Sequence, residues 1–164
     1  MIDFVRIPEE KIKLLKAHKK MVKDLEDLSE VKLNFNDEIT VEAEDPLKVL
    51  RVKEVLKAFG RGFLMKDCLN LLDENYYLEI IDISLFAGKS KRRLGQLRSR
   101  IIGTEGKTKK ILEKDSETKI SIAGKTVSII GNWDRILIAK RAIEMLLDGS
   151  LHTTVYRYLN QNKR

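Results

Sequence analysis

Of the 164 residues one is cysteine, two are histidine and 6% are aromatic, and each scarcity closes off a class of protein. The single Cys68 excludes an internal disulfide framework and a cysteine-based zinc site, fits a reducing compartment, and reads as a small buried apolar residue. His18 and His152 stand far apart, and no carboxylates are paired at metal-binding spacing. Neither nuclease nor other metal chemistry therefore has its constellation, and no catalytic residue, metal or cofactor is expected. No run approaches the ~18 apolar residues of a membrane span. The opening Met1-Ile2-Asp3-Phe4 alternates polar with apolar, where a signal sequence would be basic and then hydrophobic. The expectation is a cytoplasmic, soluble, non-enzymatic protein with no membrane partner. A hydrophobic share of 43% can build the core of one large domain or two small ones.

What the chain has in excess is positive charge, and it is unevenly placed. The net charge is +7 and the pI about 9.4, which suits a nucleic acid, an anionic membrane or an acidic protein as partner. Residues 1–90 hold 15 Lys+Arg against 18 Asp+Glu, whereas residues 91–164 hold 17 against 7. The two halves should differ in job. Charge by itself would also fit a merely solvated basic face.

Hydropathy alternates from residue 31, predicting a strand over 31–35, a turn at Asn36-Asp37-Glu38 and a strand over 39–43. Asp45 then supplies an N-cap and Pro46 suits the first helical position, so a helix is predicted over 46–59 with Leu47, Leu50, Val52, Val55 and Leu56 near its buried face. Gly60 and Gly62 end it. The second half repeats the plan with a strand over 119–122, a turn at Ala123-Gly124-Lys125, a strand over 126–130 and a helix over about 133–147, capped by Asn132 and stopped by Gly149. Ahead of the hairpins lie helical segments at 17–28 and 108–114, and ahead of those extended ones at 2–6 and 76–83. Trp133 reads as a packing residue, and the tail 155–164 as a short amphipathic helix with Val155, Tyr158 and Leu159 on one side.

Subtraction of positions tests the duplication. Glu26 falls on Glu113, Leu25 on Leu112, Phe35 on Ile122, Leu50 on Leu137 and Lys53 on Lys140, all at an offset of 87; the last strand alone needs 88, a one-residue difference in the turn. Each repeat reads β-α-α-β-β-α, with a segment at 65–72 as an extra helix between them. The fold class is α+β, with six strands and at least seven helices expected. The domain boundaries are 1–63, a linking helix at 64–74, and 75–164.

Between two helices of the second repeat stands Ile101-Ile102-Gly103-Thr104-Glu105-Gly106-Lys107-Thr108. Two glycines three apart let backbone approach a sugar-phosphate chain and adopt turn dihedrals that side chains disfavour. Gly106 also precedes a helix, whose free N–H groups and dipole attract an anion, and Lys107, Lys109 and Lys110 add charge there. A bare Gly-x-x-Gly occurs often as a tight turn, but this one sits in a strand, helix, loop, helix, hairpin and helix order. In motif and context it resembles the loop of KH domains, which clamps the backbone of about four nucleotides while bases lie in a shallow groove. The resemblance implies two tandem type I KH domains and single-stranded RNA as ligand. Glu105 should turn away from phosphate or cap the following helix. Arg98 and Arg100, with Lys89, Lys91, Arg92 and Arg93, could track a backbone electrostatically, Ile102 belongs to the lead-in, and Lys125 is a rim contact in the hairpin turn. Few aromatics make an apolar groove with positive walls more apt than stacking platforms.

The same offset puts Lys16-Ala17-His18-Lys19 where the second repeat has its glycines. The first domain should lack the clamp and bind no RNA in this way, leaving it a scaffold or protein-docking role, with His18 a solvated loop residue. This tandem arrangement, with Ala58-Phe59-Gly60-Arg61-Gly62-Phe63, the stretch 101–108 and Gly149-Ser150-Leu151-His152-Thr153-Thr154-Val155-Tyr156, resembles one family over nearly the whole chain: the small-subunit pre-rRNA assembly factors known as partner of the Nob endonuclease, in their short archaeal-type form. The resemblance implies binding to the 3′ end region of small-subunit rRNA, a part in pre-rRNA processing and ribosome assembly, and as protein partners the Nob endonuclease and the alpha subunit of translation initiation factor two. It also carries the RNA clamp onto Gly103, Thr104, Glu105, Gly106 and Lys107, with Lys110 beside them. Family loops often have a basic residue where Thr104 stands, so one phosphate contact is missing.

Two rival readings remain. Phe86-Ala87-Gly88-Lys89-Ser90 has the look of a P-loop end, but a P-loop needs glycine at position 83, where Ile83 stands. The other rival is a protein-interaction scaffold, or a translation-linked RNA-binding adaptor, in which RNA contact is secondary.

Overall fold

The structure, a computed structural model, describes residues 1–164, which divide into two compact units, Met1–Glu74 and Asn75–Arg164. The first unit runs β1 (Ile2–Val5), α1 (Glu9–Ala17), α2 (Lys19–Ser29), β2 (Lys32–Phe35), β3 (Ile39–Glu42), α3 (Pro46–Gly60) and α4 (Met65–Cys68), closed by a 3-10 turn, Leu69–Leu72. The second runs β4 (Tyr76–Asp82), α5 (Ser84–Ala87), α6 (Lys91–Ile102), α7 (Lys107–Ser116), β5 (Lys119–Ala123), β6 (Thr126–Asn132), α8 (Trp133–Leu147) and α9 (His152–Gln161), with a 3-10 turn, Thr104–Gly106, between α6 and α7. Each unit has one antiparallel three-stranded sheet in which the last strand lies in the middle, in the orders β1-β3-β2 and β4-β6-β5. The protein is a mixed α/β fold, and no helix is long and apolar enough to cross a membrane.

The repetition extends to individual hydrogen bonds. The Glu26 carboxylate accepts the amide of Leu33 at 2.9 Å, and 87 residues on Glu113 accepts the amide of Ile120 at 3.0 Å. Each bond ties a helix to the outer edge of a neighbouring strand. Ser29 and Ser116 both donate back to the carbonyl four residues earlier, on Leu25 and Leu112, and Glu30 and Glu117 both end their helices in left-handed conformation. Lys53 reaches Asp3 at 2.6 Å and Lys140 reaches Glu79 at 2.9 Å, so each closing helix is pinned to the first strand of its own sheet. The offset of 88 for the last strand has its cause in the hairpins. Three residues separate the paired Phe35 and Ile39, whereas four separate Ile122 and Val127.

Local chemistry places the helix ends. Asp45 accepts the amide of Leu47 at 3.0 Å as the N-cap ahead of Pro46. Asn132 holds the N-cap position of α8, but its side chain makes no capping bond. Past α3, Gly62 has φ 100° and Phe63 N–H reaches back to the Ala58 carbonyl; past α8, Gly149 has φ 98° and Ser150 N–H reaches the Met145 carbonyl. Both are glycine-terminated turns of the Schellman type.

Four expectations need correction. The segment 17–28 is not one helix: the chain turns at His18 (φ −108°, ψ 68°), ending α1 and starting α2, with the exposed imidazole Nδ1 bonded to the Leu14 carbonyl. Leu47 and Leu50 are 59% and 48% exposed, because the buried stripe of α3 runs through Val49, Val52, Val55, Leu56 and Phe59 instead. The linking helix expected at 64–74 is divided between two short elements of the first unit. These are α4 and the 3-10 turn, which pack on α3 and bury Met65, Cys68 and Leu71. Trp133 is half-exposed, its ring set edge-to-face against Tyr77 with centroids 5.6 Å apart.

In the second unit the core gathers Ile81 and Ile83, Leu97 and Ile101 of α6, Leu112 of α7, Val127 and Ile129 of β6, and Ile136, Ile143 and Leu146 of α8. Helix α9 adds Val155 and Leu159, both fully buried. This core fixes the ends of α6 and α7, and between those ends lies the loop 103–106.

Candidate nucleic-acid interface

Helix α6 begins at Ser90, whose hydroxyl accepts the Arg93 amide at 3.1 Å, and stops at Gly103, whose amide bonds the Ser99 carbonyl at 2.8 Å. Gly103 has φ 76° and ψ 174°, a region open in practice only to glycine. Space demands glycine there as well. A Cβ on Gly103 would lie 2.2 Å from the hydroxyl oxygen and 2.7 Å from the backbone nitrogen of Thr108. Thr108 is itself buried, and its hydroxyl meets the Tyr156 hydroxyl of α9 at 3.0 Å. The first glycine is therefore needed by packing regardless of any ligand.

Gly106 is different. It has φ 74° and ψ 13°, and a Cβ there would meet nothing within 4 Å. Its face opens to solvent, where a ligand backbone can come close. Gly106 N-caps α7 with no side chain contributing a capping bond, while its own amide bonds the Gly103 carbonyl at 3.2 Å and the Lys107 amide bonds the Thr104 carbonyl. The first turn of α7 contains no acidic residue and three lysines, Lys107, Lys109 and Lys110. A helix dipole disfavours cations at its N-terminus by about 0.3–1 kcal/mol each. The sequence breaks a stability rule at this place, as sequences do at functional sites. Lys107 and Lys110 are exposed and free of ion pairs.

Between the glycines, Thr104 and Glu105 are exposed. Glu105 has φ 54° and ψ 27°, left-handed although it is not glycine, and it neither caps α7 nor pairs with a cation. Of its two expected roles, helix capping is excluded. Ile102 is half-buried at the end of α6, and Lys125 is exposed in the β5–β6 turn, where its carbonyl accepts the Ile83 amide at 2.7 Å.

Of the two arginines placed in the site by sequence, Arg100 is engaged within the fold. Arg100 donates from Nε to the Leu146 carbonyl at 2.9 Å and from Nη2 to the Ser150 carbonyl, while its own carbonyl meets His152 Nε2 at 3.0 Å. Its Nε and Nη2 thus bind carbonyls at the C-terminal end of α8 and in the following turn. Arg98 is half-buried, with its Nε enclosed and lacking a partner. Lys89, Lys91, Arg92 and Arg93 are exposed around the start of α6. Sequence reasoning missed Thr108 and Tyr156, which hold the loop from behind. Their separation by 48 residues gives no local signal.

The corresponding place in the first unit has no such loop. Lys16 and Ala17 finish α1, His18 is the whole junction, and Lys19 starts α2, with none of them at positive φ. Beside this junction a groove of about 450 Å³ lies between α1, α2 and β2, floored by Leu15, Val22, Leu33 and Phe35.

Known proteins share this arrangement. The family of eukaryotic type KH-domain (KH-domain type I) matches residues 77–164. The KH domain-containing protein MJ0443 of Methanocaldococcus jannaschii is 34% identical over 170 residues, spanning 99% of this chain and 74% of that one. The Pre-rRNA-processing protein PNO1 of Coccidioides immitis is 34% identical over 105 residues, 63% of this chain and 41% of its own length, so the chain spans about two fifths of that longer relative. A chain of the crystal structure of the a/eIF2alpha-aDim2p-rRNA complex from Pyrococcus horikoshii OT3 superposes with a TM-score of 0.86 at 38% identity, covering 98% of this chain and 93% of that one. With sequence likeness along its length, and with the loop and helix order that type I KH domains carry, the chain belongs to the PNO1-like family of KH-domain proteins.

Proposed function

We propose that this chain binds single-stranded RNA, holding the 3′ end region of small-subunit rRNA during pre-rRNA processing and ribosome assembly, and that the loop 103–106 with the N-terminus of α7 is its clamp. One observation carries the reading: Gly106 presents an unobstructed backbone at the N-terminus of a helix whose first turn holds three lysines and no acid. A phosphate there meets an open glycine backbone, the positive end of the dipole and mobile ammonium groups together. Relatives named for pre-rRNA processing and a superposable chain from a complex with rRNA support rRNA as the target.

The proposed contacts are Gly103, Thr104, Glu105, Gly106, Lys107 and Lys110, with Ile102, Arg98 and Lys125 at the margins; Arg100 is left out because its donors serve α8. The first unit is read as a KH-like domain without a clamp, which makes the molecule a tandem of type I KH domains. Its apolar groove supports a protein-docking role. The Nob endonuclease and the alpha subunit of translation initiation factor two are the candidate partners, the second supported by the a/eIF2alpha-aDim2p-rRNA complex. No catalytic role is assigned.

The test leaves Gly103 alone, since its replacement would disturb Thr108. Gly106→Asp keeps a residue type that tolerates left-handed backbone while adding a side chain and a negative charge. Gly106→Asp and the pair Lys107→Glu with Lys110→Glu should each weaken single-stranded RNA binding at least about tenfold, with unchanged circular dichroism. Unchanged affinity in both would refute the clamp.

A further inference from the structure

The internal repeat allows the groove of one unit to be read from the other. In the first unit Val22 stands on the floor of the apolar groove, one helical turn before Glu26 on the face of α2 that meets β2. At the offset that carries the Glu26–Leu33 bond onto the Glu113–Ile120 bond, the floor residues Leu33 and Phe35 become Ile120 and Ile122, and remain apolar. Val22 becomes Lys109. A single ammonium has replaced a methyl-bearing side chain in an otherwise conservative floor.

Lys109 differs from the lysines beside it. Lys107 and Lys110 are exposed, whereas Lys109 is half-buried, as expected of a residue on the groove side of α7. It has no hydrogen-bond or ion-pair partner. The acid one turn further on, Glu113, already accepts the Ile120 amide, and a lysine four residues before a glutamate is the weaker orientation for a helical pair. Its stem is partly covered while its ammonium is left open and without a protein acceptor, so it can meet an acceptor that a ligand brings. In a KH groove the backbone phosphates lie at the glycine loop and the bases lie over the floor, so the acceptor reaching Lys109 belongs to a base.

Resting on the RNA-binding reading above, we infer that Lys109 is a specificity-determining residue that selects guanine in the groove of the second unit. Guanine presents O6 and N7 as adjacent acceptors, the edge most often read by a lysine or arginine, whereas adenine places an amino donor beside its N7. The phosphate clamp supplies affinity for any sequence, and Lys109 supplies the choice of base.

The test uses the full chain and fluorescein-labelled eight-nucleotide RNAs in which one guanine at a time is replaced by 2-aminopurine, which lacks O6, or by 7-deazaguanine, which lacks N7. For the wild-type protein, replacement at one position should lower affinity about tenfold. Lys109→Met, which restores an apolar floor like that of Val22, should bind the guanine RNA about tenfold more weakly, discriminate no longer, and keep the salt dependence of the wild type. Lys109→Arg should retain the preference. Lys107→Met should instead weaken binding to every RNA and flatten the salt dependence. Full discrimination by Lys109→Met, or indifference of the wild type to every guanine replacement, overturns the inference while leaving the clamp standing. Failure of the wild type to bind any of the RNAs overturns both.

Discussion

Glu105 adopts a left-handed conformation that costs a residue with a Cβ about 1–2 kcal/mol, and its carboxylate lies in a loop proposed to hold phosphate. Glu105→Gly relieves both, and should raise unfolding stability by about 1 kcal/mol in urea titration and tighten RNA binding several-fold. The two loop glycines separate by the same physics. Gly103→Ala drives a methyl into Thr108 and should cost about 3 kcal/mol or more, whereas Gly106→Ala meets open space and should cost about 1 kcal/mol for its φ alone. Comparison of urea midpoints with unchanged slopes decides this. Cys68 is a further residue-scale case: burial pushes its thiol up to about 12 from an ordinary 9.0. Its thiol should resist a disulfide reagent at pH 8 until the protein unfolds. The neutral form is the one the fold accepts, so the contribution is complete below pH 9 and declines as pH rises from 9 towards 12.

At the scale of elements, backbone carbonyls at helix ends are bound by arginines that charge counting would assign to RNA. Arg135, 3% exposed on α8, donates to the carbonyls of Ser116 at 3.0 Å, Asp115 at 2.9 Å and Asn162 at 3.1 Å, joining the end of α7 to the tail of α9. Arg135→Met retains most of the volume but leaves those carbonyls unsatisfied, and should cost about 3 kcal/mol. Arg100→Ala should lower stability by about 2 kcal/mol through the loss of its bonds to α8 and the following turn. Neither change should alter RNA affinity measured well below the unfolding midpoint. A large loss of affinity in folded Arg100→Ala would return that residue to the interface.

On the whole molecule, charge and loop chemistry divide the two repeats in the same sense. The unit Met1–Glu74 carries 14 Lys+Arg against 16 Asp+Glu, and Asn75–Arg164 carries 18 against 9. The logarithm of RNA affinity should therefore fall linearly with the logarithm of salt concentration, with a slope of about −0.7 per phosphate contact. Lys16→Glu with Lys19→Glu in the first unit should leave that slope and the affinity nearly unchanged. An equal loss from first-unit and second-unit charge reversals would instead mean that RNA engages both. The sequence by itself determined the strand and helix order of each repeat, their offset of 87 and the glycine loop, because these depend on short-range periodicity, caps and turns. Only the tertiary structure decided which face of α3 is buried, that Gly103 is held by Thr108 and Tyr156, and that Arg100 bonds carbonyls at the end of α8. Those outcomes depend on contacts between residues distant in the chain, so local patterning could show that Gly103 and Gly106 form one loop but not that packing demands the first and leaves the second open.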